Sequence, residues 1–234
     1  YEGFVDVNVE FKWIGQDGDI KEASEEWSYF SFKPPVEGEA NPILYFDFDH
    51  ANNPRKAYDD AFGLVARVHN AVYTDDTPTG SGSAMDMTDA WNGHVFLDDA
   101  EVLNIASSVD QVTVSFWQKN RSNPSSSSFW AWSPSTGDNR AFQAHVPWAN
   151  GRIYWDTAGC CSGEEHRIEA DANDFVEWGD DDGPRWNHYA FVKDGKEKTI
   201  WINGDLFHEG INSAPLPSDI EELFIGSNGW RERS

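Results

Sequence analysis

Residues 186–205 read Trp186-Asn187-His188-Tyr189-Ala190-Phe191-Val192-Lys193-Asp194-Gly195-Lys196-Glu197-Lys198-Thr199-Ile200-Trp201-Ile202-Asn203-Gly204-Asp205. Two strand-like runs, Trp186 to Lys193 and Lys198 to Ile202, are each followed by a turn dipeptide, Asp194-Gly195 and Asn203-Gly204. Both dipeptides tolerate the positive φ that tight hairpin turns demand. The stretch therefore predicts antiparallel strands joined by short turns.

The same grammar extends in both directions. Gln111 to Lys119 alternates, with Val112, Val114 and Phe116 on one face and Thr113, Ser115 and Trp117 on the other, which is the period of a half-buried strand. Further strands are predicted at Ile43 to Phe48, Phe62 to Tyr73, His94 to Ile105, Arg140 to Val146, Arg152 to Asp156 and Leu223 to Ile225. The Ser/Pro-rich stretch 120–128 and the polar run 133–139 read as loops. No long helical period occurs. Many short strands with frequent turns predict an all-β fold, a two-sheet antiparallel β-sandwich. Trp117, Trp186 and Trp201 are expected to fill its core. At the amino-terminal end Val5, Val7, Val9, Phe11 and Trp13 alternate with polar residues, and a second strand is expected around Trp27 to Phe32. A Pro- and Gly-punctuated run, Pro34 to Pro42, breaks extended pairing and reads as a linker. Residues 1–40 are thus expected to be a flanking strand or hairpin segment, and 43–234 the sandwich.

Composition narrows the partners. Forty-one acidic against 17 basic side chains leave a formal net charge of -24. Such a field repels phosphate backbones and anionic lipid surfaces, so nucleic-acid partners are not expected. Nor is membrane insertion, because no run approaches the roughly 18 to 20 apolar residues of a spanning helix. With 12 Trp and 15 Phe the chain is too aromatic to be disordered. It begins at Tyr1 without a basic-then-apolar leader, so both ends are read as cuts from a longer, processed precursor. A secreted or cell-surface location is expected.

Three ordered stretches carry a family resemblance: Val112-Thr113-Val114-Ser115-Phe116-Trp117; the Trp186 to Gly195 strand; and Thr199-Ile200-Trp201-Ile202-Asn203-Gly204 followed by Leu223-Phe224-Ile225-Gly226. Together they resemble the laminin-G-like branch of the concanavalin A-like lectin/glucanase superfamily. The resemblance implies a jelly roll of two curved antiparallel sheets. A narrower likeness, carried by Arg140 to Trp148, Ile153-Tyr154-Trp155-Asp156 and Cys160-Cys161, is to a subgroup in surface proteins of aquatic bacteria and their phages. The family continues after its Ile-Gly with a closing strand. Here that strand is expected either to be missing or to be replaced by Phe4 to Trp13.

Enzymes on this fold carry carboxylates as Glu-x-Asp-x-x-Glu on one strand, so that alternation points them into one cleft. The sequence has no such pattern. Lyases on related sandwiches use a Gln-x-His strand, which Gln143-Ala144-His145 matches, with Tyr154 nearby; their other signatures are absent. Catalysis is not expected.

Sugar binding needs an aromatic face for a pyranose and amide, carboxylate or guanidinium groups for its hydroxyls. Trp148, in a Pro-Trp-Ala-Asn-Gly turn, is the foremost candidate, with His145, Arg152, Trp155, Asp156 and Arg167 around it. Calcium, which takes six to eight oxygen ligands, is the expected structural metal. The resemblance places its ligands at Asp59 and Asp60 and at Asp98 and Asp99; Asp47-Asp49 and Asp180-Asp181-Asp182 are further acidic clusters.

The adjacent Cys160 and Cys161 have three readings: a disulfide between neighbours, a reduced pair, or part of a metal site. The first suits an oxidising compartment. The third fails to supply the four ligands of a closed tetrahedral site. The expected function is a noncatalytic carbohydrate-binding or adhesion module of a larger surface or secreted protein, its partner a glycan or surface polysaccharide. The alternative is a structural module binding other surface proteins, and a third reading is a divergent polysaccharide-cleaving enzyme.

Overall fold

The computed structural model describes residues 42–87, 92–120, 126–173 and 184–228 in full, and the backbone of 5–14, 20–29, 179–180 and 183. Packing divides the chain into two compact units, Tyr1–Pro42 and Ile43–Ser234. In the first, β1 (Val5–Ile14) pairs antiparallel with β2 (Ile20–Tyr29) in a two-stranded sheet of their own.

In the second unit, two sheets face one another. The smaller has the order β17 (Asp205–Ile211), β16 (Glu197–Ile202), β15 (Trp186–Asp194), β8 (Gln111–Lys119). The larger has the order β12 (Arg167–Asp171), β11 (Arg152–Thr157), β10 (Arg140–His145), β9 (Phe129–Trp132), β18 (Glu222–Ile225), β7 (His94–Leu97), β4 (Val65–His69), β3 (Lys56–Tyr58). Two short pairs, β5 (Val72–Thr74) with β6 (Ala84–Asp86) and β13 (Gly179–Asp180) with β14 (Gly183–Pro184), complete the strands. Gly195 (φ 56°), Asn203 (φ 53°) and Gly204 (φ 88°) take the positive φ expected of the two turns. The fold is an all-β sandwich, as the turn chemistry predicts.

The core lies between the sheets and is aromatic. Phe129 sits edge-on to Phe116, Trp155 and Phe191 with ring centroids 5.8 Å away, and to Phe142 at 6.3 Å. Each such ring contributes about 1.5–3 kcal/mol by burial, and edge-to-face geometry adds to it. Lys198 also points inward and is 1% exposed. Its ammonium donates to the Trp155 carbonyl (2.8 Å), the His166 carbonyl (3.0 Å) and Asn212 Oδ1 (2.8 Å). All three donors of the ammonium are thereby satisfied, and β16 is tied to the back of β11.

Several expectations are corrected. Ile43 to Phe48 is not a strand: the Tyr45 amide donates to the Asp59 carboxylate and the Asp60 amide to the Tyr45 carbonyl, so local loop bonds replace a ladder. His94 to Ile105 stops as a strand at Leu97, and its remainder winds into a 3₁₀ turn (Glu101–Asn104) leading into α1 (Ile105–Val109). Phe62 to Tyr73 is divided by Asn70, at φ 45°. Trp117 and Trp201 are 51% and 36% exposed and Trp186 is half-buried. They do not fill the core because their neighbours in the alternation, Phe116, Asn187 and Ile200, take the inward positions.

Candidate functional site

Strand alternation gives the eight-stranded sheet a second face, turned away from the core. Residues Phe129, Ala131, Phe142, Ala144, Ile153 and Trp155 point inward. Their neighbours Trp130, Gln143, His145, Tyr154 and Asp156 therefore line the outer face. On β18 and β7 the same parity brings out Phe224 and Phe96, which stack at 4.5 Å and form a small apolar cluster with Trp130.

Register sets the centre of this face. Gln143 pairs with Trp130 on one side and with Asp156 on the other. Arg140 enters the strand through a register shift before Phe142. Its guanidinium lies 4.5 Å from the Trp130 ring centroid and donates to Asp156 Oδ2. It spans the row Trp130–Gln143–Asp156 and so lies across Gln143. Arg167, on β12, grips the same carboxylate with two hydrogen bonds, Nε to Oδ1 at 2.5 Å and Nη2 to Oδ2 at 2.6 Å. Asp156 is fully buried, and two cations on one carboxylate are what allow a charge to stay there.

Gln143 is fully buried as well. Neither its amide nitrogen nor its amide oxygen has a hydrogen-bond partner, and neither does Arg140 Nε. A buried polar group left unpaired costs about 1–3 kcal/mol. Two donors and one acceptor without partners thus meet at one place on the face.

Beside them, His145 Nδ1 donates to the Ser126 carbonyl at 2.9 Å, which leaves Nε2 as an acceptor in the neutral ring. Burial pushes the His145 pKa down to about 4, so the ring is neutral at pH 7. Its centroid is 4.4 Å from that of Trp148 and 5.9 Å from that of Tyr154. The Tyr154 hydroxyl accepts from Asn150 (2.7 Å), and the Arg167 guanidinium lies over its ring at 4.5 Å. Trp148 is presented by a tight turn in which the Gly151 amide bonds the Trp148 carbonyl at 2.8 Å. Gly151 is required there: its φ is 77°, and a Cβ would meet Asn173 Oδ1 at 1.8 Å. Cys160 and Cys161 are joined by a disulfide, and Arg167 Nη2 lies 3.7 Å from Cys160 Sγ.

Of the residues expected to bind sugar, His145, Trp148, Asp156 and Arg167 come together here. Arg152 shares the face at the far end of β11, where it pairs with Glu169 (3.4 Å) and Asp171 (3.9 Å). Trp155 does not belong to the site: it is fully buried between the sheets, and its indole donates to the Val192 carbonyl. Trp130 and Arg140 were not anticipated. The one signal for them was the run Phe129-Trp130-Ala131-Trp132, whose alternation separates a core face from an outer one.

Among the described residues, Asp59, Asp60, Asp98 and Asp99 do not form one group of potential metal donors. Asp59 is buried and accepts three backbone N–H bonds, from Tyr45, Ala61 and Phe62. Asp98 pairs with Arg67 at 3.0 Å, and Asp99 is exposed. Among the described residues Asp60 groups instead with Asp47 and His50. Calcium favours an all-oxygen shell, and an imidazole with two carboxylates does not fit that demand. Asp181 and Asp182 lie outside the described residues. The other group of potential metal donors, Asp138 with Cys160 and Cys161, has its sulfurs in the disulfide and offers no thiolate.

The two-sheet order and this lined outer face define a lectin-like β-sandwich. The laminin G 3 family model, described as the concanavalin A-like lectin/glucanases superfamily, matches residues 88–234. The chain belongs to that family. Comparison with curated proteins finds no match. Among solved structures, the chain is similar to the binding domain of botulinum neurotoxin DC in complex with SialylT, at 15% identity and a TM-score of 0.56. The match covers 80% of this chain and 44% of that one, so the chain spans less than half of the toxin chain. It is also similar to domain 4 of AbnA, a GH43 extracellular arabinanase from Geobacillus stearothermophilus, in complex with arabinotriose. There the identity is 18%, the TM-score 0.51, and coverage 80% of this chain and 84% of that one.

Proposed function

We propose that this chain is a noncatalytic carbohydrate-recognition module that binds a sugar on the outer face of the eight-stranded sheet. The observation that carries the reading is Gln143, a buried amide with both polar atoms unpaired and an indole beside it. An amide offers a donor and an acceptor to neighbouring sugar hydroxyls. Trp148, which is half-buried, offers aromatic surface to the C–H side of a pyranose. The arabinanase domain bound to arabinotriose lends the fold a precedent. The noncatalytic part rests on Asp156, whose two carboxylate oxygens are both taken by guanidinium groups and are not free to act on a ligand. An extracellular setting is supported by the disulfide between neighbouring cysteines.

The test is calorimetric titration of neutral and acidic oligosaccharides into the protein and into Gln143→Leu. Saturable binding that Gln143→Leu abolishes supports the reading. Binding that survives the substitution moves the site off this face, and chain shortening during incubation makes the protein an enzyme.

A second reading, a protein-interaction module, is favoured by the outer face of the smaller sheet. Trp117 and Trp201 are exposed there, and Trp201 pairs with Leu206, itself 46% exposed. Loss of partner capture on Trp117→Ser/Trp201→Ser, with sugar binding intact, would establish that role.

A further inference from the structure

We infer that the outer face of the smaller sheet is a second carbohydrate site, which takes a neutral polysaccharide lying across two exposed indoles. It does not rest on Gln143 or on the larger sheet. Register builds it. Across β8, β15, β16 and β17 one row reads Ser115–Ala190–Trp201–Leu206, and in the next row Trp117 lies opposite His188. Trp117, Trp201, Ser115 and Leu206 are exposed, and Ala190 and His188 are half-buried. The surface is accessible as it stands.

Each indole follows a hydroxyl residue by two positions on its own strand, and alternation puts both side chains on one face. On β8 the pair is Ser115 and Trp117, and on β16 it is Thr199 and Trp201. The Trp201 indole donates to Thr199 Oγ1 at 2.9 Å, and Ser115 Oγ is 2.7 Å from His188 Nε2. A hydroxyl has one donor and two acceptor sites, so each keeps capacity for a ligand. Indole and hydroxyl together suit one sugar, the ring for its C–H side and the oxygen for its rim. Both β8 and β16 run antiparallel to β15. They are therefore parallel to each other, and the unit recurs in the same orientation. Strand spacing sets its two copies about 12 Å apart, farther than one pyranose ring reaches. Between them on β15 stand Ala190, which adds only a methyl, and His188, whose ring meets Trp117 edge-on at 5.2 Å. A repeated, co-oriented unit fits a polymer of sugars rather than a single ring.

Charge selects the kind of polymer. The chain has a formal net charge of -24, yet neither row places a carboxylate, an ammonium or a guanidinium between its ends. The charges stand at the margin: Lys119 is paired with Asp76, Asp194 and Glu197 lie at the far end of the hairpin, and Glu209 is opposite Thr199. Acidic glycans, acidic proteins and further copies of this chain are repelled by the overall field, and a basic partner finds its carboxylates elsewhere. A neutral, amphipathic chain is the partner this face suits.

The experiment titrates cellobiose and cellohexaose, xylobiose and xylohexaose, and oligogalacturonate as the acidic control, into Gln143→Leu, which silences the larger-sheet site, and into the parent. Binding is read by calorimetry and by indole fluorescence. In Gln143→Leu a neutral hexasaccharide is expected to bind about tenfold or more tighter than its disaccharide, because only the longer chain meets both indoles. Trp117→Ala and Trp201→Ala are each expected to weaken it about threefold to tenfold, and together to abolish it. Urea midpoints check that these exposed positions leave the fold intact; the length and charge comparisons need no substitution on this face. Hexasaccharide binding that survives the double substitution overturns the inference, as does equal affinity for the two lengths or for oligogalacturonate. So does the absence of neutral binding; if self-association is then lost in the double variant, the face belongs to a protein partner. Sugar binding that Gln143→Leu alone abolishes leaves the larger-sheet reading standing and removes this one, and the reverse pattern does the opposite.

Discussion

Gln143 and Asp156 face one another across β10 and β11, and the same arginine that bonds Asp156 leaves both polar atoms of Gln143 without a partner. One member of the pair is over-supplied with donors and the other has none. A structural polar network is normally satisfied at every member. A half-satisfied one on the face opposite the core points to a missing partner.

Gln143→Leu separates folding from recognition. Leucine keeps the volume and removes both unpaired groups, so unfolding free energy is expected to stay within about 1 kcal/mol of the parent or to rise. Sugar affinity is expected to be lost. Urea denaturation and calorimetry on the same sample check both; a loss of stability above this margin would mean that the amide has a structural partner.

Asp156→Asn has the opposite profile. It removes the carboxylate that buried Arg140 and half-buried Arg167 share, and breaking a buried pair in this way costs about 3–5 kcal/mol. The urea midpoint is expected to drop sharply at pH 7. A midpoint shifted by less than about 1 kcal/mol would show that the arginines find another anion.

His145 makes stability depend on pH. Its pKa is ordinarily 6.5, and burial lowers it to about 4 in the folded chain. Below 6.5 the unfolded chain therefore takes up a proton that the folded chain refuses, and stability falls as pH drops from 6.5 to about 4. Above 6.5 the contribution is constant. A proton NMR titration of the ring is expected to give the low pKa, and His145→Phe is expected to flatten the denaturation profile between pH 4 and 6.5. A ring that titrates near 6.5 would contradict the burial.

Calcium is expected to leave the melting temperature unchanged, because Asp59 and Asp98 are committed to backbone amides and to Arg67. Melts in calcium and in EDTA check this. A rise with calcium that EDTA reverses would place the ion at donors other than these.

Trp148→Ala is expected to weaken sugar binding and leave the fold stable, since the ring is only partly buried and its turn is held by backbone bonds and Gly151. Equal affinity in the variant would confine recognition to the Trp130–Gln143–Asp156 row.

Local order decided what could be read from the chain alone. The Asp194-Gly195 and Asn203-Gly204 turns and the alternation of Gln111 to Lys119 depend on neighbours in sequence, and they announced the antiparallel sandwich without further help. The same reading gathered His145, Trp148, Asp156 and Arg167 because they lie on successive strands. It failed where the answer depends on what covers a face. Alternation shows that Trp117 and Phe116 point opposite ways, but not which side the second sheet will cover; burial of Phe116 against Phe129 and Phe191 exposes Trp117. It failed likewise for Trp155, whose ring turns inward while Asp156 turns out. Only the tertiary register aligns Trp130, Gln143 and Asp156 across three strands and lays Arg140 over them. Cross-strand pairing is a long-range choice, made by the fit of two whole sheets.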